Sequence, residues 1–238
     1  LESAFEQQAR FTADASHELR TPLAVIMSQI ELALSKPRSN EEYLAALETC
    51  QRASRRMRSL IDSLLLLARF DSGQPDLHCG PLDLSEVATE SVELLRPLAD
   101  ERQIKLGSDM TPVPFVGDRE RLGQVVTNLL TNAIRYNQDG GRVDVRVERI
   151  NGDVVVSVSD TGIGIPASDL PHIFERFFRV DRARARADGG SGLGLAICQS
   201  VVEAHGGQIT ARSELQHGTT LEVRLPLSSE NEPHSQSL

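Results

Sequence analysis

Along the first third of the chain, apolar and small residues return at alternating steps of four and three: Phe5, Ala9, Thr12, Ser16, Leu19, Leu23, Ile26, Ile30 and Ala33. That spacing is the seam of a coiled coil or helical bundle, and it predicts a helix over residues 2–35. Lys36-Pro37-Arg38-Ser39 interrupts the pattern, which resumes over 40–70 with Tyr43, Leu47, Cys50, Ser54, Met57, Ile61, Leu64 and Ala68. Leu60, Leu65 and Leu67 widen the apolar face towards the end of this second helix. So short a link makes the two helices antiparallel neighbours. One hairpin cannot bury so wide a face, whereas two hairpins associating as a four-helix bundle can. A homodimer is therefore expected, the alternative being that the face packs on a second domain.

Asp71-Ser72-Gly73-Gln74-Pro75 ends the helical period. Beyond it the pattern predicts a helix over 84–99, a short strand over 104–106 and a longer helix over 118–136. Val143, Val145 and Val147 alternate with polar residues, and Val154, Val156 and Val158 do so again after Asn151-Gly152-Asp153, which reads as a β-hairpin. A glycine-rich region precedes a helix over 193–204 and strands over 208–212 and 220–225. This mixture predicts an α+β fold in which one mixed sheet is covered by helices on one face. The division is a helical hairpin over 1–72, a linker over 73–80, an α/β sandwich over 81–227 and a tail over 228–238. The tail is rich in Ser, Glu, Asn and Pro and is expected to be disordered.

The 238 residues suffice for two domains, and a hydrophobic content of 39% is ordinary for a soluble globular protein. Thirty-four acidic residues against twenty-five basic give a net charge of −9. That charge repels a nucleic-acid backbone and an anionic membrane surface, so neither is expected as a partner and any bound anion must be held locally. No run approaches the roughly 20 apolar residues that span a bilayer, and no basic-then-apolar leader opens the chain, so the fragment itself reads as soluble. Leu1 opens inside a helical pattern, and a longer parent chain is expected. Cys50, Cys79 and Cys198 are few and widely spaced, which fits a reducing cytosol and supports neither a disulfide framework nor a metal site. The histidines likewise show no metal-ligand spacing.

Candidate chemistry begins at His17-Glu18-Leu19-Arg20-Thr21-Pro22. His17 lies beside the seam and faces outward, Thr21 shares its face one turn on, and Pro22 leaves the carbonyl of Glu18 without its helical donor, so a bend is expected there. One ring nitrogen of a neutral imidazole can attack while the other yields its proton to a carboxylate such as Glu18. The plainer alternative is a surface histidine on an amphipathic helix. On the long helix, Asn128 and Asn132 stand four residues apart, opposite a core stripe of Leu122, Val126, Leu129 and Ala133. An amide oxygen is a hard ligand suited to Mg²⁺, Arg135 adds a phosphate-seeking cation on the same face, and a solvated polar face is the alternative. In Asp160-Thr161-Gly162-Ile163-Gly164-Ile165-Pro166, strand parity puts Asp160 on the face of the inward valines. An inward carboxylate needs a donor, which an adenine amino group would supply; a capped turn is the alternative. Gly189-Gly190-Ser191-Gly192-Leu193-Gly194-Leu195 runs into a helix whose free N–H groups can face phosphates, although no Walker lysine closes it. Between these runs, Phe174, Phe177 and Phe178 precede Arg179, Arg182, Arg184 and Arg186. Apolar anchors followed by cations read as a lid over a polyanion, with a solvated loop or a DNA-binding patch as the other readings.

The histidine segment resembles the phosphoacceptor box of bacterial sensor histidine kinases. The Asn pair, DTGIGIP, FERFF and GGSGLGLAI resemble, in order, the N, G1, F and G2 boxes of their catalytic domain. The resemblance spans about residues 11–225. It implies a dimeric phosphotransfer hairpin and an ATP-binding sandwich of the kind shared with Hsp90-like ATPases. By it His17 accepts phosphate, assisted by Glu18, and Thr21 holds the phosphatase position. Asn132 would ligate Mg²⁺, Asn128 would shape that site, Asp160 would bind the adenine amine, and Tyr136 would stack near the base. Arg135 stands where the family most often has lysine, a planar fork in place of a compact ammonium. Gly162, Gly164, Ile165, Phe178, Arg179, Gly190, Ser191, Gly192, Leu193, Gly194 and Thr220 complete the expected nucleotide shell. The implied activity is that of a protein-histidine kinase: Mg-ATP phosphorylates His17, and the phosphoryl group passes to an aspartate of a response-regulator receiver domain, with phosphatase activity towards that regulator. The implied setting is the cytoplasmic portion of an inner-membrane sensor anchored upstream. Two rivals differ in class: a clamp ATPase of the same nucleotide fold, as in Hsp90-like or mismatch-repair proteins, and a non-catalytic dimeric scaffold that binds ATP. The first would not need His17 in its box, and the second would be expected to have lost His17, Asn132 or Asp160.

Overall fold

The computed structural model describes residues 2–73, 75–180 and 190–227, with side chains from Phe11 onward. Arg182, Arg184, Arg186, Gly189 and the tail lie outside the described residues, as do the side chains of Phe5 and Ala9.

Two long helices, α1 (Glu2–Leu34) and α2 (Asn40–Asp71), form the hairpin. Helix α1 stays helical through Pro22, which is buried. Ser39 starts α2 with a capping box: its hydroxyl accepts from the Glu42 N–H at 3.2 Å and the Glu42 carboxylate accepts from the Ser39 N–H at 2.9 Å. Such a cap is worth about 1 kcal/mol and ends the turn cleanly.

The seam differs from the expected one. The inward positions of α1 are Ala15, Leu19, Pro22, Ile26 and Ala33, while Thr12, Ser16, Leu23 and Ile30 are exposed. In α2 the inward positions are Ala46, Cys50, Ala53, Met57, Leu60, Leu64 and Leu67, while Tyr43, Leu47, Ser54, Ile61 and Ala68 are exposed. Each expected line therefore merges two stripes, one facing the hairpin partner and one facing outward. Both stripes keep the same period, so periodicity cannot separate them. The widened end of α2 is split in the same way: Leu60 and Leu67 join the apolar cluster of the second domain, whereas Leu65 is 57% exposed.

The second domain begins with strand β1 (Gly80–Asp83) and helix α3 (Leu84–Glu101), followed by β2 (Lys105–Met110), β3 (Pro114–Gly117) and α4 (Arg119–Arg135). Strands β4 (Arg142–Ile150) and β5 (Asp153–Asp160) form the valine hairpin. A single 3₁₀ turn (Leu170–His172), helix α5 (Gly194–Ala204) and strands β6 (Gln208–Glu214) and β7 (Gly218–Pro226) complete it. The main sheet has the order β2-β4-β5-β7-β6; β2 pairs parallel with β4 and the other pairs are antiparallel. Helices α3, α4 and α5 cover one face, packing on Val143, Val145, Val147, Val154, Val156, Val158, Val223 and Leu225. Strands β1 and β3, which the hydropathy pattern did not predict, form a small antiparallel sheet. Each is four residues long, too short for a period of two to register.

The two domains touch. Leu64, Leu66 and Phe70 of α2 pack on the sandwich core, and the rings of Phe11 and Phe177 lie 5.9 Å apart. Arg176 stacks 5.1 Å from the centre of the Phe11 ring and donates to Asp71 at 2.8 Å. Part of the apolar face of α2 is thus covered by the second domain and the rest is left open.

Candidate nucleotide cradle and exposed histidine

Helix α4 positions the first wall of the cradle. Asp118 caps it, accepting from the Arg121 N–H at 3.0 Å, while Leu122, Val125, Val126, Leu129, Leu130, Ala133 and Ile134 turn into the core. Asn128, Asn132 and Arg135 are left half-buried on the other side. The Asn128 amide donates to the Gly194 carbonyl at 3.4 Å, tying α4 to the start of α5. Behind it, burial pushes the Cys198 thiol up to about 12, so it stays protonated. The Asn132 amide has no protein partner among the described residues.

Asp160 ends β5 opposite Val143. Its Oδ1 accepts from the Gly162 N–H at 2.8 Å and the Thr219 N–H at 3.3 Å. Burial raises its pKa, and the two backbone donors only partly offset that. A Cβ on Gly162 would lie 2.3 Å from the Tyr136 carbonyl oxygen and 2.8 Å from Asp160 Oδ1, so only glycine fits against this carboxylate. The following loop is laced on both sides. The Ile163 N–H donates to the Tyr136 carbonyl at 3.1 Å, the Gln216 N–H to the Ile163 carbonyl at 2.8 Å, and the Ile165 N–H to the Ser213 hydroxyl at 2.8 Å. Gly164 has φ +67° and a Cβ there would meet the Glu214 carbonyl oxygen at 2.1 Å. Thr220 shares a 2.8 Å hydroxyl bond with Ser159, and Tyr136 is 37% exposed at the rim.

Gly190, Ser191 and Gly192 lead into α5. The Ser191 hydroxyl accepts from the N–H of Leu193, which is buried, and the Phe177 N–H donates to the Gly192 carbonyl at 2.9 Å. Phe174, Phe177 and Phe178 pack against the sandwich core. Two cations face the run: a Cβ on Gly190 would lie 3.1 Å from Arg135 Nη1 and 4.0 Å from Arg179 Nη2. Arg179 Nη2 is itself buried without a partner among the described residues. An orphaned guanidinium nitrogen beside a second arginine fits an anion. Thr219, Ser213, Asn137 and Arg102, which no expectation singled out, also hold this region. The Gly218-Thr219-Thr220 turn was the available signal for the first of them, since a Cβ on Gly218 would fall 1.9 Å from the Asp160 carbonyl oxygen.

On the hairpin, His17 is exposed and its ring has no partner among the described residues. The Thr21 hydroxyl donates back to the His17 carbonyl at 3.3 Å. Glu18 lies 3.5 Å from Arg56 of α2 and forms no bond to the imidazole. The pair is half-buried and its 3.5 Å separation is long for a hydrogen-bonded ion pair, so it holds the carboxylate only loosely. His17, Arg20, Thr21, Ala24, Val25 and Ser28 border an open depression of about 520 Å³ along α1. No contact joins His17 to the cradle among the described residues. Among the same residues no cluster of three or more His, Cys, Asp or Glu could hold a metal, so a cation at Asn132 would need phosphate oxygens to complete its shell.

An exposed histidine on a helical hairpin is here joined to a sandwich that carries a glycine-lined cradle. Residues 7–73 match the family described as His Kinase A (phospho-acceptor) domain, and residues 117–229 match Histidine kinase-, DNA gyrase B-, and HSP90-like ATPase. The chain belongs to the sensor histidine kinases, and its sandwich is their ATP-binding domain. It is 38% identical over 235 residues to the sensor histidine kinase RppB of Synechocystis, which covers 98% of this chain but 52% of that protein. The chain thus spans about half the length of this curated relative. The mycobacterial sensor histidine kinase MprB is 36% identical, with a TM-score of 0.55 over 62% of this chain and 97% of the solved one. The histidine kinase ThkA, solved in complex with the response regulator protein TrrA, shares the fold with a TM-score of 0.73 over 97% of this chain and 65% of that one, at 24% identity.

Proposed function

We propose that this chain is the kinase core of a two-component sensor, in which 1–72 dimerises and carries the phosphoacceptor, 73–80 is the linker and 81–227 binds ATP. An imidazole nitrogen of His17 attacks the γ-phosphorus of ATP; the N–P bond forms, the bond to the β-phosphate oxygen breaks, ADP leaves, and the imidazole proton passes to Glu18. The phosphoryl group then moves to an aspartate of a response regulator, and Thr21 orients water when that phosphoaspartate is hydrolysed. The observation that carries the reading is the coexistence of an exposed imidazole with a separate cradle whose arginine nitrogen is buried, both without a partner among the described residues.

Within the cradle, Asp160 accepts from the adenine amine, Tyr136 lies along the base, and Arg135 and Arg179 hold phosphate oxygens beside the Gly190–Gly194 backbone. Asn132, with Asn128 behind it, would hold Mg²⁺. When bound, that ion supplies neutralisation of phosphate charge. Because no contact joins His17 to the cradle among the described residues, phosphorylation requires a rearrangement between the two domains. The ThkA neighbour, held with a response regulator, supports the choice of acceptor, and the exposed outer stripes of α1 and α2 support a homodimer. The open depression beside His17 is the surface offered to the receiver domain. Relatives named as sensors and twice as long support an upstream, membrane-anchored part, with this portion in the cytoplasm; no helix among the described residues is long and apolar enough to cross a membrane.

Incubation with γ-labelled ATP and Mg²⁺ is expected to give an acid-labile, base-stable label that mass spectrometry places on His17 and that His17→Gln lacks. Label on a serine or threonine, or full labelling of His17→Gln, would remove the assignment.

A further inference from the structure

Arg102 ends helix α3 and belongs to none of the boxes, yet all five N–H groups of its guanidinium are committed to the far end of α4. Nη1 donates to the carbonyl oxygens of Ile134 at 2.6 Å and Arg135 at 2.7 Å. Nη2 donates to the carbonyl oxygen of Asn137 at 2.9 Å and to Asp139 Oδ1 at 3.1 Å, and Nε donates to the same Asp139 oxygen at 3.2 Å. A helix leaves its last carbonyls without intrahelical partners and carries the negative end of its dipole there. Arg102 satisfies that end from behind.

The front of the same backbone is the wall of the cradle. The Tyr136 carbonyl receives the Ile163 N–H, and the Tyr136 N–H donates to the Asn132 carbonyl at 2.9 Å. Asn137 is buried; its Oδ1 accepts from the Gln138 N–H at 3.0 Å and the Thr161 hydroxyl at 3.3 Å, and its Nδ2 donates to the Arg142 carbonyl at 2.9 Å. One guanidinium thus holds the strip of chain that connects the Asn132 turn to the loop after Asp160.

We propose that Arg102 is a positioning residue for nucleotide binding, acting through the last turn of α4 on Tyr136 and on the Asp160–Gly164 loop; the inference rests on the reading of the cradle as the ATP site. Without the fork, the carbonyls of Ile134, Arg135 and Asn137 turn to water and the turn loosens, so Tyr136 and Asn137 lose their register with Ile163 and Thr161. Lysine cannot replace it, because three donors on a point charge do not span four acceptors set around a planar fork. The effect falls on the adenine end, so ATP and ADP suffer alike, and turnover at saturating ATP is spared. A cap that serves only the fold would lower the melting temperature and leave affinity alone.

The chain has no tryptophan and two tyrosines, so in a Tyr43→Phe background Tyr136 is the sole tyrosine and its emission reports on the cradle. Affinities for ADP and ATP, read by calorimetry and by Tyr136 emission well below the melting temperature, are compared for the parent protein and its variants. Arg102→Ala is expected to weaken both nucleotides by roughly ten- to a hundredfold, the range of lost charge-assisted hydrogen bonds. Arg102→Lys is expected to fall between Arg102→Ala and the parent, and Asp139→Asn, which alters a carboxylate 76% exposed, to weaken binding about threefold. Labelling at saturating ATP stays near the parent rate, and millimolar methylguanidinium restores affinity to Arg102→Ala. Folded variants with lowered melting temperature and unchanged affinity would overturn the proposal. Should Arg102→Ala not fold, Arg102→Lys and Asp139→Asn decide in the same way. Absence of nucleotide binding by the parent protein would overturn the cradle reading and this proposal with it, whereas parent binding with unaffected variants overturns this proposal alone.

Discussion

Helix α4 buries seven side chains in its own domain, whereas α2, nearly twice as long, buries only Ala53, Leu60 and Leu67, and the last two belong to the apolar cluster of the sandwich. Elsewhere the hairpin leaves Leu23 51%, Met27 52% and Leu47 66% exposed. The sandwich closes its core with its own sheet and helices and can hold a ligand between well-packed elements. The hairpin cannot close without another surface, and burying each such side chain is worth about 1.5–3 kcal/mol. The same openness leaves the His17 ring exposed, as the proposed transfer to and from it requires. Packing is thus divided between the regions: a closed core in one, an open apolar face in the other.

The sharpest break in that division is Asn132→Ala. Its amide has no protein partner among the described residues, so the sandwich is expected to melt within a degree or two of the parent while Mg²⁺-dependent labelling is abolished; a large loss of stability would show that the asparagine serves the fold. Next in size, Leu47→Lys combined with Ile61→Lys on the outer stripe should convert a dimer into a monomer by light scattering at micromolar concentration and leave nucleotide affinity unchanged. A variant that stayed dimeric would move the interface elsewhere.

Asp160→Asn sharpens the contrast within the sandwich. Burial holds the folded carboxyl above its ordinary pKa, so the ionised form is disfavoured in the fold: the associated stability is full below the unfolded value and is lost as pH rises through the folded one. Asparagine keeps an oxygen for Gly162 and Thr219 and removes the charge. The melting temperature at neutral pH is expected to rise by a few degrees, while ATP affinity falls about tenfold or more. Calorimetry on both properties checks it, and a drop in both would mean the charge is needed by the fold. Asp118 has the opposite sign: burial would raise its pKa, but the N–H groups of Arg121 and His78 outweigh that, and its contribution is lost as pH falls. The smallest effect is expected from Thr21→Ala, which removes one exposed hydroxyl bonded to the His17 carbonyl. Labelling should stay within about threefold of the parent rate while dephosphorylation of a response regulator slows; loss of labelling in a folded, ATP-binding variant would merge the two roles.

Local regularities carried what could be read from the chain alone. The period of α1 and α2, the alternation of the valines in β4 and β5, and the parity that turns Asp160 inward are properties of neighbouring residues, and the glycines at 162 and 164 mark places where a side chain has no room. Tertiary structure decided the rest, because it depends on which distant segments meet. Whether Leu60 or Ile61 faces inward is a matter of partner surfaces, since both lie on apolar lines of the same period. Strands β1 and β3 exist only as each other's partners. Thr219 reaches Asp160 across fifty-nine positions of sequence, and Arg102 reaches the end of α4 across more than thirty. A single arginine at the end of one helix gives no local sign that it holds the end of another.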